Sequence, residues 1–511
     1  MADSEQTLNN EDRDTTIQFY GGPIMSLFPI LFFVLWAILQ SAVMRISDPS
    51  GLVIGVLLGL IIGMFFIKGS WDTYANTIFE GMTQKVAATA IVAWLWAGMF
   101  AETLEVGGFV KGLVWLAGTV GVGKVVFPAV TFLFSALFAT GIGTGYGTTI
   151  AFATLFFPAG VLLGANPVLM FGAILSGAVF GDNLAPVSDT TIVSAVTQDA
   201  DIGGVVASRF KYAFIAAFLA FGGYIVASTW MEGIAISGEA RTIFLNNSNP
   251  FGLVHIVSMG VVIVLAVRGR HIIEAISWGI IVAFLSNLIL GLSSFSDMLV
   301  FKVSKQLGWS NYFAGWPFVE LVKPKNVGPD GSLYAGATGF FPMIVLVLLI
   351  VAAGQIMIRG GGFQALQEWI LRTVATTVRG AEMSMVAGTA LVNGMITINT
   401  AAEIAIAPYI ANIGKQYNIN GYRRANILDA NTAALGYIFP WSGGVLIGYS
   451  TLVDVMPGYE WYTRELIVSP VEVWPYVFHG WILLIVFLVS AWTGFGREYT
   501  CDRVPEEVAR V

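Results

Sequence analysis

Apolar runs long enough to cross a lipid bilayer recur along almost the whole chain, and they restrict it to a helical membrane fold. A membrane-spanning helix needs about 17–25 mostly apolar residues. Of the 511 residues, 56% are hydrophobic and only 11% are charged, a composition that excludes a water-soluble globule. We therefore predict an all-α polytopic membrane protein, multi-pass in the cell (plasma or inner) membrane. The predicted continuous spans are 24–43, 51–67, 87–104, 125–140, 147–164, 209–231, 251–267, 271–292, 338–358, 381–396, 401–413 and 473–493, and the predicted broken helices are 166–199 and 424–456.

Composition also excludes several classes of function. The one cysteine, Cys501, and the three scattered histidines offer no ligand set for zinc or redox chemistry. The formal net charge is −7 and the basic residues are dispersed, so we expect no nucleic acid partner. No serine, cysteine or histidine nucleophile has a visible base. The chain is therefore predicted not to be an enzyme and to need no cofactor.

The two halves of the chain share helix-breaking residues at a constant separation. Gly107 and Gly361 lie 254 positions apart, and so do Pro186 and Pro440. Apolar composition alone would not align glycines and prolines in this way. We predict two inverted repeats with discontinuous transmembrane helices, which is typical of secondary transporters whose binding site lies at mid-membrane between the repeats. The predicted units are a polar N-terminal tail (1–22), repeats 23–245 and 246–495, a connecting segment (293–337) with a short interfacial helix near 309–316, and a polar C-terminal tail (496–511).

The stretch 180–191, Phe-Gly-Asp-Asn-Leu-Ala-Pro-Val-Ser-Asp-Thr-Thr, places two aspartates and a proline between apolar runs. Pro186 removes a backbone donor and disfavours helical geometry at the preceding residue, so the helix should break here. An ionised carboxylate at membrane depth costs about 2.5–3.5 kcal/mol, which favours a role in binding a cation or carrying a proton. Helix capping is an alternative for Asp189, but it does not explain Asp182. The predicted sodium ligands are Asp182, Asn183 and Asp189, and Ser188, Thr190 and Thr191 complete the predicted site.

Further oxygen-bearing side chains lie in two glycine-containing segments and beside the second proline. Residues 140–149 carry glycines among hydroxyl groups, and residues 393–400 are their counterpart. Thr and Asn oxygens with exposed carbonyls suit a sodium ion, although close helix packing explains the glycines equally well. Asp429 lies near Arg423 and Arg424 in the sequence, which leaves a surface ion pair as an equal alternative. The additional predicted ion- or substrate-binding residues are Thr144, Tyr146, Thr148, Thr397, Asn399, Glu403, Asp429, Asn431, Trp441 and Ser442.

The sequence at 181–191 resembles the NhaC family of sodium/proton antiporters, whose members carry a Gly-Asp-x-x-x-Pro-Leu-Ser-Asp-Thr-Thr type of segment. The Gly-Thr-x-Tyr-Gly-Thr pattern at 143–148 and the Pro440-Trp441 pair are similar to the family too, and the likeness extends over most of 24–493. The resemblance implies a broken-helix fold with two inverted repeats, and exchange of sodium for protons.

Carried over to this chain, the resemblance places Asp182, Asp189, Thr190 and Thr191 in the ion site. The chain departs from the family pattern at Asn183, where lysine is frequent, and at Ser442, where asparagine is common. Loss of a positive group at the site would alter ion selectivity.

We predict a secondary active transporter in which sodium and a proton compete for Asp182 or Asp189. Rigid movement of one helix bundle past the other would expose that carboxylate to each side of the membrane in turn. The predicted partners are the lipid bilayer, the sodium ion and the proton. One alternative is sodium- or proton-coupled transport of a small organic solute, an amino acid or a carboxylate, and another is an ion channel. The sequence leaves open the orientation of the termini and whether the chain acts as a homodimer.

Overall fold

The structure is a computed structural model that describes residues 17–44, 46, 48–186, 188–233, 248–268, 270–339, 341–365, 377–396 and 398–500. Most of these residues are helical, as the apolar runs predict. Within the described part, six helical stretches are long and apolar enough to cross a membrane, and shorter apolar helices accompany them. The six stretches are 145–162, 167–184, 202–230, 272–289, 332–359 and 464–493.

Helices of the first half begin at residues that favour a helix start. Asn166 caps the helix that opens with Pro167, because its side-chain oxygen accepts a hydrogen bond from the amide of Val168 (2.9 Å). Asp201 caps the following long helix by accepting from the amide of Gly204 (2.7 Å). The helices are α1 (Phe28–Ile38), α2 (Pro49–Met64), α3 (Trp71–Met82), α4 (Lys85–Val106), α5 (Phe109–Val120), α6 (Phe127–Ile142), α7 (Gly145–Leu162), α8 (Pro167–Leu184), α9 (Asp189–Thr197) and α10 (Ile202–Trp230).

In the second half, turns at residues 436–442 interrupt the helical path. Pro440 lies in this interval and lacks the amide hydrogen that a continuous helix would require. The helices are α11 (His255–Val267), α12 (Ile272–Ile289), α13 (Ser332–Thr338), α14 (Phe341–Arg359), α15 (Val378–Ile396), α16 (Asn399–Gln416), α17 (Gly421–Leu435), α18 (Gly443–Val455) and α19 (Phe478–Thr493).

The centre of the molecule is formed by α7, α8 and α17. Every residue of α7 and nearly every residue of α8 is buried, and α17 is buried from Arg423 to its end. Gly181 lets α8 approach α6 closely, since an added Cβ would overlap the backbone of Ala139 and Thr140. By contrast, only 28% of the residues in the apolar windows of α10 and α12 are buried, which suits a lipid-facing position. The polar end of α8 is therefore enclosed by protein.

Short strands occupy part of the connecting segment. The sequence Val-Phe-Lys-Val-Ser is rich in β-branched residues, and it forms the central strand of a three-stranded sheet, parallel to one neighbour and antiparallel to the other. The helix predicted near 309–316 is limited to a single 3₁₀ turn, Ser310–Phe313. The strands are β1 (Gln18–Phe19), β2 (Ile67–Lys68), β3 (Val300–Ser304), β4 (Val319–Val322) and β5 (Gly328–Asp330), with β1 antiparallel to β2 and the sheet order β4-β3-β5.

Candidate functional site

The helical path is interrupted between α8 and α9. The first helix ends at Leu184, and Ala185 is extended (φ −71°, ψ 122°), as expected for a residue that precedes proline. Ser188 is also extended (φ −66°, ψ 138°) and comes directly before α9. The interruption therefore separates Asp182, in the last turn of α8, from Asp189, in the first turn of α9.

Asp182 is 4% exposed, and polar groups from both halves of the chain surround its carboxylate. Ser188 donates a hydrogen bond to Oδ1 across the interruption (3.0 Å). The amide of Asn399 and the hydroxyl of Tyr437 both donate to Oδ2 (3.2 Å each). The hydroxyl of Thr190 donates to the backbone carbonyl of Asp182 (3.2 Å). Since all these donors are neutral, they leave the negative charge of the carboxylate to be balanced by a cation or a proton.

Asp189 is half-buried and approaches the same end of α16. Thr400 donates to its Oδ2 (2.6 Å), and the amide of Thr190 donates to its Oδ1 (3.1 Å). Asn399 and Thr400 are consecutive residues at the start of α16, so one helix N-terminus contacts the aspartates on both sides of the interruption. The partial positive charge of a helix N-terminus favours carboxylates at this place.

Asp429, on α17, forms a wholly buried ion pair with Arg209 of α10, both side chains being 0% exposed. Thr191 (3.3 Å) and Ser194 (3.5 Å) donate to the same carboxylate oxygen. Arg209 also donates to the backbone carbonyl of Asn183, at the end of α8 (2.6 Å). The ion pair therefore joins the end of α8 and the face of α9 to the second half of the chain.

The surface ion pair considered for Asp429 is wrong, because both neighbouring arginines have other partners. Arg423 binds Glu382 through Nε (2.8 Å) and Nη2 (3.2 Å). Arg424 donates to the backbone carbonyl of Gln198 (2.7 Å). Both arginines are less than a twentieth exposed, so neither marks a hydrated loop.

Glu403 lies one turn after Asn399 on α16 and is wholly buried beside Asp429. The hydroxyl of Thr432 donates to its Oε1 (2.9 Å). The guanidinium of Arg209 pairs with Asp429, and its positive charge also acts on the nearby Glu403. One positive group beside two carboxyls leaves one negative charge, unless one of the carboxyls holds a proton.

The hydrogen bonds described for five of the predicted residues do not go to the aspartates. Four of the five bond within their own segment, whereas Trp441 bonds to α15. Tyr146 contacts the cluster, by which we mean the carboxyl groups of Asp182, Asp189, Glu403 and Asp429 with their hydrogen-bond partners. Its ring packs against that of Tyr437 (5.6 Å between centroids). Thr397 lies outside the described residues. The five are Thr144, which caps α7 at Gly147 (3.5 Å), Thr148, bonded to the carbonyl of Thr144 (2.9 Å), Asn431, to that of Ile427 (2.6 Å), Trp441, to that of Gly394 (2.9 Å), and Ser442, to that of Phe439 (2.8 Å).

Five residues that contact the carboxyl groups were absent from the sequence prediction: Ser194, Arg209, Thr400, Thr432 and Tyr437. The predicted span 209–231 begins at Arg209, which would put this side chain at the membrane surface. The helix instead begins at Ile202, after the cap at Asp201, so Arg209 lies about two turns inside it. The capping residue was the signal that could have placed Arg209 in the interior.

The cluster offers oxygen ligands that suit an alkali cation. Within the described residues, no group of three or more His, Cys, Asp or Glu side chains forms a set for a transition metal. The side-chain oxygens of Asn183 and Asn399 are buried without a hydrogen-bond partner in the described structure, although such atoms are normally satisfied. Asn399 contacts Asp182 (3.2 Å), so its oxygen and the carboxylates of Asp182 and Asp189 are hard ligands of the kind that bind sodium or similar ions.

Comparison with known proteins gives the family. The model of the Na+/H+ antiporter family matches residues 16–230 and 214–481. The chain is 21% identical over 463 residues to the arginine/ornithine antiporter ArcD of Halobacterium salinarum, an alignment that covers 89% of this chain and 92% of that protein. It is also similar to the Malate-2H(+)/Na(+)-lactate antiporter of Bacillus subtilis (30% identical over 149 residues, 29% of this chain and 30% of that protein). The Na(+)/H(+) antiporter NhaC of Alkalihalophilus pseudofirmus is 24% identical over 164 residues, 32% of this chain and 35% of that protein.

These matches confirm the resemblance seen at 181–191, and they agree with the apolar helices of the structure. The chain is a multi-pass membrane protein that belongs to the Na+/H+ antiporter family.

Proposed function

We propose that the protein is a secondary active transporter of the cell membrane that exchanges sodium for protons at Asp182 and Asp189. The observation that carries this proposal is the position of both carboxylates between the two halves. Asp182 accepts a hydrogen bond from Asn399, and Asp189 accepts one from Thr400. The aspartates come from the first half and their donors from the second. Alternating access requires such a shared site, because movement of one half past the other changes its exposure.

The assignment of 23–245 and 246–495 as inverted repeats belongs to the same proposal. In it, the α8–α9 and α17–α18 pairs are equivalent discontinuous helices, each interrupted beside a proline. The preceding helices α7 and α16 each contain an internal proline, Pro158 and Pro408.

Sodium and the proton compete for the same negative charge in this mechanism. Ionised Asp182 and Asp189 hold sodium together with the neutral oxygens around them, and a proton on either carboxyl weakens that site. An empty, ionised carboxylate is costly at membrane depth, by about 2.5–3.5 kcal/mol. The site should therefore move from one side of the membrane to the other only when sodium or a proton neutralises it. This requirement couples sodium transport to proton transport.

Two isosteric variants test the proposal. Asp182→Asn and Asp189→Asn remove one charge each and keep the shape of the side chain. In everted membrane vesicles, each variant should lose sodium-induced proton movement. Asp199→Asn is the matched control, because Asp199 is exposed and pairs with Lys415 (2.7 Å) away from the cluster. Thermal unfolding of the purified proteins establishes that the variants are folded. Full exchange by both site variants would contradict the proposal.

An organic cation is the second candidate for the transported species. It is favoured by the similarity to a protein named an arginine/ornithine antiporter, of which this chain covers 92%. A substrate that binds through its carboxylate is less suited to the site, because every N–H group of Arg209 already faces an oxygen of the protein. Thermal-shift measurements with sodium, arginine and malate separate the candidates, since a ligand of the folded state raises its stability. Stabilisation by arginine without stabilisation by sodium would favour the organic cation.

A further inference from the structure

Arg209 is surrounded by oxygens in the way a bound cation is. Its guanidinium has five N–H groups, and each of them faces an oxygen atom of a neighbouring helix or of the end of α8. The side chain is 0% exposed, so these contacts replace water completely. The partners are the carboxylate of Asp429, the carbonyl of Asn183 (2.6 Å), the side-chain oxygen of Asn426 (3.1 Å), the hydroxyl of Ser194 (3.3 Å) and the carbonyl of Ala425 (3.3 Å).

These partners are the ligand types that sodium also accepts, namely a carboxylate, backbone carbonyls, an amide oxygen and a hydroxyl. The carbonyl of Asn183 is free for this role because α8 ends at Leu184, and the last carbonyls of a helix have no partner within it. Asp429 lies beside the Asp182–Asp189 cluster, since Thr191 of α9 donates to it (3.3 Å). A second set of cation ligands thus adjoins the first, and a side chain occupies it.

We propose that Arg209 is a tethered cation that fills a second cation position at Asp429, next to the exchanging position at Asp182 and Asp189. The proposal rests on the proposed sodium exchange. While Arg209 is in place, Asp429 is neutralised and takes no part in the exchange. The number of negative charges in the cluster that sodium or a proton can neutralise is thereby reduced by one. Removal of the guanidinium charge opens Asp429 and its neighbouring oxygens to a further sodium ion.

The test counts the sodium ions that bind at saturation to the detergent-purified full-length chain, with radiolabelled sodium and equilibrium dialysis. Arg209→Gln should bind one more sodium ion per chain than the native protein. Arg424→Gln is the matched control, because it removes another buried arginine, whose bonds go to backbone carbonyls of Ile419 (3.1 Å) and Gln198 (2.7 Å). This control should bind the same number as the native protein. An Arg209→Gln chain that is folded and binds the native number would overturn the proposal.

The outcome remains decisive if Arg209→Gln does not fold in sodium-free buffer. Sodium should then restore its folding, because an ion at Asp429 replaces the lost charge, and Arg209→Gln combined with Asp429→Asn should fold without sodium. A single variant that stays unfolded in sodium overturns the proposal, whatever the double variant does. If the native protein binds no sodium at all, the proposed sodium exchange fails. The proposal that Arg209 fills a cation position is then tested separately: Arg209→Gln should bind one sodium ion, which the native chain does not.

Discussion

Replacing Tyr437 by phenylalanine removes one hydroxyl from the carboxylate of Asp182 and little else. Tyr437 is wholly buried, and its hydroxyl donates to Oδ2 of Asp182 (3.2 Å). Its ring packs against that of Tyr146 (5.6 Å between centroids), and phenylalanine keeps that contact. The substitution therefore changes the stability of the ionised carboxylate while leaving the packing of the two rings intact.

The expected loss of stabilisation of the ionised Asp182 carboxylate depends on the hydrogen-bond donors that remain in the variant. A hydrogen bond to a charged group contributes about 1.5–3 kcal/mol. Ser188 and Asn399 still donate to Asp182 in the variant, so we take the lower end, about 1.5 kcal/mol, which corresponds to about a tenfold change in an equilibrium constant. The lost hydroxyl stabilises the ionised form, which sodium needs, more than the protonated form. At fixed pH, the sodium concentration that gives half-maximal exchange should therefore rise about tenfold.

The assay is sodium-dependent proton movement in everted vesicles, measured over a range of sodium concentrations. Tyr409→Phe is the matched control, because it removes a buried tyrosine hydroxyl that bonds to the neutral hydroxyl of Ser384 (2.8 Å). This control should leave the half-maximal sodium concentration unchanged. If Tyr437→Phe is folded and also leaves it unchanged, the hydroxyl does not act on the exchanging carboxylate and the reasoning is refuted.

Two further predictions concern stability. Glu382→Gln should lower the free energy of unfolding by about 3–5 kcal/mol, because it leaves Arg423 buried without its counter-charge; thermal unfolding measures the loss, and adding Arg423→Gln should recover part of it. Asp201→Asn should destabilise the protein at neutral pH and progressively less in acid. A hydrogen bond from the hydroxyl of Tyr422 is the main cause that lowers the pKa of Asp201, so the charged form stabilises the fold above the pKa of the unfolded chain, and this contribution disappears as the pH falls through the lowered value. The unfolding midpoints of the native protein and the variant should therefore differ at neutral pH and converge only as the pH falls below the ordinary aspartate pKa of about 3.9, and a constant difference would contradict this account.

The membrane spans were the part of the fold most open to prediction from sequence. Hydropathy and length identify a span because a bilayer core of about 30 Å imposes both at once, and the predicted run 87–104 lies within α4 (Lys85–Val106). Prediction from hydropathy fails for helices that are too short or too polar to match the bilayer core. α3 (Trp71–Met82) and α5 (Phe109–Val120) are each 12 residues long, too short to register as spans. The strands of the connecting segment were missed because the charged residues there suggested only a loop or an interfacial helix.

The candidate site could be proposed from the sequence where the residues that set the backbone geometry lie next to those that carry the chemistry. Pro186 predicts the interruption and the aspartates lie on either side of it, so this segment by itself indicates a candidate site. Partners from distant segments gave no such signal. Tyr437 and Thr400 are ordinary residues of a buried turn and a helix start, and only the fold brings them to Asp182 and Asp189.

Arg209 was misplaced for a different reason, which bears on how charges in membrane proteins are interpreted. A rule that places arginines at the membrane surface holds for residues that face lipid. It fails for a residue that faces other protein groups, since hydrogen bonds to five oxygens can replace hydration. The informative comparison is between Arg209 and Asp182. Both are enclosed, but the arginine has a charged partner in Asp429 and the aspartate is held by neutral donors. A charge already balanced by the protein can stay in place, whereas one that lacks a partner must be balanced by something that arrives from solution. That difference is the physical reason to assign exchange to Asp182 and a fixed charge to Arg209.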